Sequence, residues 1–179
     1  MISKIIRYLS AFIILITLSA CPMMDDFEDY CTQVVNVDNL LTLTPFRTSY
    51  NQGEIITLKL VIQSTNNYFG NQMNLNNLIN NGNSQLQFYS DSLFVDNEIT
   101  FIKGSEIIYE NHRFNLIYNS NSNNYEFEIQ IKLNKTGVYS FESAENILFS
   151  KVNNGCKRYQ ISTNIEGMNS EGNIEFYVQ

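Results

Sequence analysis

The sequence predicts an all-β protein, an antiparallel sandwich or barrel around one core. Three observations carry that expectation. Apolar residues recur at every second position over long runs, clusters of asparagine and glycine separate the runs, and no stretch holds the 3.6-residue period of an amphipathic helix. The clearest run is Tyr125–Leu133. Tyr125, Phe127, Ile129, Ile131 and Leu133 fall on one face, and Glu126, Glu128, Gln130 and Lys132 on the other. A sheet with one buried and one wet face writes this code.

The other elements follow in chain order. Thr32–Val37 and Leu40–Thr44 are short strands rich in β-branched and aliphatic residues. In Glu54–Gln63, Ile56, Leu58, Leu60 and Ile62 share one face, while Ile55 and Val61 make the other half apolar, so this strand belongs inside a sheet. Further strands are expected at Leu86–Val95, Ile99–Ile102, Arg113–Tyr118, Val138–Glu142, Ile147–Val152 and Arg158–Asn164. The last strand places Ile174, Phe176 and Val178 inward, with Glu175 and Tyr177 outward. Met73–Ile79 is the nearest approach to a helix, a single turn interrupted by asparagines. Ser64–Gln85 is the longest interruption. It carries Tyr68, Phe69 and Met73, and reads either as a binding loop on a rigid scaffold or as a segment folded back on the sheet.

Two stretches narrow the fold. Thr44-Pro45-Phe46 followed by Tyr50-Asn51-Gln52-Gly53-Glu54-Ile55, and Leu133-Asn-Lys-Thr-Gly137-Val138-Tyr139-Ser-Phe141, resemble bacterial immunoglobulin-like domains over roughly residues 40 to 142. The first resembles strand A, a turn and strand B; the second resembles the opening of strand F. The resemblance implies an antiparallel immunoglobulin-like sandwich in which the Tyr139 hydroxyl bonds back to the preceding corner. The chain has no tryptophan for strand C, and Phe141 stands where antibody domains place their second cysteine, so the implied domain is a divergent one. The rival architecture is a lipocalin-like up-and-down barrel.

The first 21 residues, MISKIIRYLSAFIILITLSAC, carry a basic head at Lys4 and Arg7, an apolar run from Tyr8 to Ala20, and small residues before Cys21. The apolar run is too short to span a bilayer, which takes about 20 residues, and has the length of a signal sequence. The segment resembles the lipobox of bacterial lipoproteins. That resemblance implies a signal peptide at 1–20, a diacylglyceryl group on Cys21 and an acidic tether over 21–30 before a single domain at 31–179. Asp25-Asp26-Phe27-Glu28 resembles the export signal of surface lipoproteins of the Bacteroidetes. The implied address is the outer membrane, lipid-anchored and facing the cell surface, with the membrane contacted through the lipid.

The 179 residues carry a net charge of −7, and loss of Lys4 and Arg7 with the leader leaves the remainder near −9. No basic cluster is present, which argues against nucleic acid as a partner. With Cys21 acylated, Cys31 and Cys156 remain as one pair in an oxidising compartment, and a disulfide between them is expected.

No catalytic constellation emerges. The single histidine, His112, sits at an expected turn, no serine has a nucleophile-elbow context, and neither a metal-ligand spacing nor a phosphate loop occurs. No catalytic residue, metal or cofactor is therefore expected. Tyr68, Phe69 and Tyr89 are candidate stacking platforms for a ligand, and Asp91-Ser92-Leu93 resembles the O-glycosylation sequon of exported Bacteroidetes proteins, with Ser92 as acceptor. The functional expectation is a non-catalytic envelope lipoprotein, a binding or adhesion module or accessory of an envelope complex. The alternative is a glycan- or small-ligand-binding lipoprotein of an outer-membrane uptake system.

Overall fold

Alternation becomes pairing in the computed structural model, which describes residues 32–80, 82–88, 91–107, 112–142, 145–151, 158–167 and 173–179. The leader 1–20, Cys21, the tether 21–30 with Asp25, Asp26, Phe27 and Glu28, both cysteines of the expected disulfide (Cys31 and Cys156), and Tyr89 lie outside the described residues. All described residues belong to the unit Cys31–Gln179.

The strands are β1 (Thr32–Asn36), β2 (Leu41–Thr44), β3 (Ser49–Tyr50), β4 (Ile55–Gln63), β5 (Thr65–Asn66), β6 (Met73–Asn74), β7 (Asn83–Gln87) and β8 (Glu98–Lys103). They continue with β9 (Ser105–Glu106), β10 (Arg113–Asn115), β11 (Ile117–Asn119), β12 (Asn124–Lys132), β13 (Gly137–Glu142), β14 (Glu145–Ser150), β15 (Arg158–Thr163) and β16 (Asn173–Val178). Two short helices interrupt them, α1 (Leu75–Ile79) and α2 (Asp91–Asp96).

The two runs with the cleanest alternation pair with each other. β4 and β12 are antiparallel along their whole length, and the register sets Ile56 opposite Ile131, Leu58 opposite Ile129, Leu60 opposite Phe127 and Ile62 opposite Tyr125. All eight side chains are buried. β2 flanks β4, while β8 and β11 share the far edge of β12, which completes a five-stranded sheet. A six-stranded sheet runs β1-β15-β14-β7-β10-β9. Its pairs are antiparallel except β1 with β15, which is parallel. A third sheet, β13-β16-β3, also ends in a parallel pair. The core lies between the larger sheets. Phe114 of the six-stranded sheet meets Phe127 of the five-stranded sheet at 5.3 Å between ring centres, and Phe149 meets Tyr125 at 4.9 Å.

The all-β expectation is met, and none of the sheets closes into a barrel among the described residues. Leu86–Val95 is not one strand. The strand ends at Gln87, and Asp91–Asp96 is helical, with Leu93 buried and its neighbour Val95 75 % exposed. Asn97 Nδ2 donates to the Leu93 carbonyl at 2.9 Å and closes that helix. Arg113–Tyr118 divides between two sheets as β10 and β11. Ser64–Gln85 folds back: Leu75 and Ile79 are buried, and Asn74 caps α1 by accepting from the Asn77 N–H at 2.9 Å.

Candidate functional site

The outer face of the six-stranded sheet has an unusual composition, and strand register assembles it. Inward residues alternate along β14 (Ile147, Phe149), β15 (Tyr159, Ile161) and β7 (Leu86), all buried. The opposite phase faces out, and cross-strand partners share a face. One row runs Asn36, Ser162, Asn146, Gln87, Arg113. The next runs Val34, Gln160, Leu148, Gln85, Asn115, and the third Thr32, Arg158, Ser150, Asn83. Amides and hydroxyls dominate all three rows, Arg113 and Arg158 stand at opposite ends, and none of these positions is a carboxylate.

A shallow hollow of about 260 Å³ sits in this face, lined by Gln85, Gln87, Arg113, Asn146, Arg158 and Gln160 together with Thr32 and Leu148. Its amides are tied to one another. Asn146 Oδ1 accepts from Gln160 Nε2 at 2.9 Å and from Ser162 Oγ at 3.1 Å. Such bonds hold the side chains in place before any partner arrives.

The five-stranded sheet presents a different outer surface. Lys59 lies opposite Glu128, and Lys132 opposite Glu98. Lys103 Nζ meets Glu126 Oε2 at 2.5 Å. The Lys103 bond holds the Glu126 carboxyl below its ordinary value, with bonds from Ser122 and Asn119 adding to it, and the same bond raises the Lys103 ammonium. On this face Glu126 is buried in its pair with Lys103, while the Lys132–Glu98 pair at 3.8 Å is exposed.

A second concavity, about 400 Å³, opens beside α2. Phe94, Val95, Ile99, Phe101 and Phe114 line it, with Asn97, Glu106 and His112 as its polar parts. His112 adopts a positive φ of 60°, and its ring lies 5.7 Å from that of Phe94. The turn expected at His112 is there, yet the imidazole faces an aromatic cluster. An imidazole and a carboxylate thus share this concavity, and among the described residues its lining holds no serine, threonine or cysteine. Among the described residues no group of His, Cys, Asp and Glu could hold a metal ion.

The residues singled out from the sequence do not converge on either concavity. Tyr68 and Phe69 are partly buried against the core, Phe69 edge-on to Tyr159 at 5.3 Å, and burial raises the Tyr68 hydroxyl above its ordinary value. Ser92 is exposed on α2. The Tyr139 hydroxyl donates to the Lys135 carbonyl at 3.0 Å, the corner bond that the immunoglobulin-like resemblance implies. Sequence reasoning passed over Arg113, Arg158 and the amides around them. Their signal was the polar phase of the strands, each outward residue flanking a buried one, with no acid in that phase.

Among the described residues no helix is long and apolar enough to cross a membrane. Compared with known proteins, the chain matches no family model, no curated protein and no solved structure.

Proposed function

We propose that this chain is a lipid-anchored, surface-displayed binding module with a divergent immunoglobulin-like sandwich, and that it engages its partner without catalysis through the outer face of the six-stranded sheet. The strand order supports the sandwich. β2-β4-β12-β8 follows the A-B-E-D order of such domains. When β13 with β14 and β15 with β16 are read as strands F and G, each broken in two, β7 takes the place of strand C beside β14, and β1 and β3 run parallel to G as a split first strand. The Tyr139 corner bond adds to the same reading. β10 departs from it: this strand pairs with β7 although it follows β8 in the chain. The address rests on the leader ending at Cys21 and on the acidic run that follows it.

One observation carries the functional reading. In a chain of net charge −7, the described outer rows of the six-stranded sheet hold amides, hydroxyls, Arg113, Arg158, Val34 and Leu148 and no carboxylate, while on the opposite sheet Glu126 and Glu98 pair with Lys103 and Lys132. A merely solvated face would share the acidic bias of the whole chain. The test compares full-length protein bearing Gln85→Glu and Gln160→Glu with a control bearing Thr57→Glu on the other sheet. Cells displaying each variant are exposed to extracellular polysaccharide and outer-membrane material. The reading requires that binding fall with the face variant and persist with the control; equal binding by both, or none by the wild type, refutes it. Labelled palmitate entering the wild type and failing to enter Cys21→Ala tests the address.

The glycan-binding alternative has its own support in the same face, because amides both donate to and accept from sugar hydroxyls. Tyr68 and Phe69, packed against the core, contribute little to it.

A further inference from the structure

We infer that two copies of this chain associate through the free edge of β1, which pairs with itself in the antiparallel sense and joins two six-stranded sheets into one. β1 ends its sheet, and among the described residues no strand lies along its other side. The backbone groups on that side can be named. The Val37 N–H donates to the Ser162 carbonyl at 2.9 Å, so the groups of Val37 point toward β15. Along a strand this direction alternates from residue to residue. Gln33 and Val35 therefore turn their N–H and C=O groups to β15, and Thr32, Val34 and Asn36 turn theirs to the open edge. A two-fold axis at Val34 sets Val34 opposite its own copy and Thr32 opposite Asn36 of the second copy. Each such pair exchanges two bonds, which gives about six hydrogen bonds across the axis.

Open edges invite strand addition, and proteins commonly block them with lysine, proline, bulges or covering segments. Thr32–Asn36 has no charge, no proline and an unbroken register against β15. Two other edges are guarded. β9, at the far end of the same sheet, is two residues long and carries Glu106. On β2 the Leu41 carbonyl already accepts from the Glu166 N–H at 2.9 Å. Self-pairing also suits the side chains. A strand with a charge at its centre would meet that charge again across the axis. β1 meets only Val34, a β-branched side chain 59 % exposed in the single copy. Thr32 and Asn36 face each other as a hydroxyl and an amide, each able to donate and to accept. The axis stands perpendicular to the sheet, so both outer faces look the same way. Asn36 of the second copy then extends the row of Thr32, Arg158 and Ser150, beside the hollow that Thr32 lines. Pairing thus places two such hollows on one continuous surface.

The test is sedimentation equilibrium of the full-length chain, purified in detergent with micelles in excess over protein. An interface of one strand is small, so wild type should pass from monomer to dimer across the micromolar range. Val34→Pro removes the edge N–H, keeps the bonds to β15 and should weaken the dimer at least tenfold. Val34→Lys sets two cations face to face and should weaken it as much. Val34→Thr, which stays β-branched and uncharged, should keep it. Ile117→Lys makes the same change at an exposed position on β11, in the other sheet, and should keep it too. Equal melting temperatures at the monomeric end of the series separate a lost contact from a lost fold, and Val34→Lys decides if Val34→Pro melts early. Wild type that is monomeric at every concentration overturns the inference, as does a dimer that withstands Val34→Pro and Val34→Lys. Equal weakening by Ile117→Lys overturns the choice of edge. Gln85→Glu with Gln160→Glu leaves β1 intact and should leave the dimer, so failure of the face-binding reading and failure of the pairing stay distinct.

Discussion

Lys103 Nζ lies 2.5 Å from Glu126 Oε2 across the register shift where β8 leaves β12. Asn119 Nδ2 and Ser122 Oγ each donate to the other carboxylate oxygen at 3.1 Å, so a buried acid is held on both sides. The two members of the pair set opposite limits in pH. Glu126 is held below its ordinary 4.5, so its contribution is complete above that value and is lost as pH falls through the lowered one. Lys103 is raised above 10.5, so its contribution is complete below that value and is lost as pH rises through the raised one. Thermal melts of wild type and Glu126→Gln from pH 3 to pH 11 should show the largest gap across the neutral range and convergence at both ends. A gap independent of pH would assign the loss to packing alone.

Tyr139 joins the corner before β13 to the core of the third sheet. Its hydroxyl bonds to the Lys135 carbonyl, and its ring stacks on Phe176 at 5.8 Å between centres. Tyr139→Phe keeps the stack and loses the bond, and should cost about 1 kcal/mol in denaturant unfolding. Phe176 is fully buried and also meets Tyr50 edge-on at 5.1 Å. Phe176→Ala should cost about 3–5 kcal/mol. Equal losses in the two variants would show that the hydroxyl, not the ring, anchors the corner.

Gly104 stands between β8 and β9 with φ +94°, and an added Cβ would sit 2.6 Å from the Asn115 carbonyl oxygen and 2.8 Å from Phe127 Cδ2. Backbone conformation and space both exclude a side chain there. Gly104→Ala should destabilise by about 2 kcal/mol or more, whereas Gly53→Ala, where a Cβ meets nothing within 4 Å, should cost only its strained φ of +88°. Chemical denaturation of both variants checks the difference, and indistinguishable midpoints would refute the steric argument.

The parts of the fold legible in the sequence are those where one strand carries its own code. β4 and β12 were readable because each alternates over nine residues and the other buries the same phase. Asn83–Gln87 was not readable. Its amides disfavour strand in isolation, and it is a strand because β14 and β10 pair with it on either side and Leu86 is buried. Leu86–Val95 misled for a related reason: its apolar residues are broken by Gln87 and by Ser90-Asp91-Ser92, and their pattern alone does not reveal where the backbone turns. The candidate site was illegible because its residues come from β1, β7, β10, β14 and β15, far apart in the chain. Only the register brings Arg158 and Arg113 onto one surface.

The register also bears on the cysteines. β1 and β15 run parallel with Thr32 beside Arg158, and Cys31 and Cys156 are one and two residues away along the chain. Cys31 and Cys156 themselves lie outside the described residues. A bond between them would close a long loop and stabilise the domain by about 4–5 kcal/mol in the chain-entropy description. Full-length acylated protein, purified and denatured without reductant, should show no reactive thiol, and two should react once reductant is added. Cys156→Ser should lower the midpoint of denaturation and release one thiol, that of Cys31. Two thiols reacting before reduction would refute the pairing.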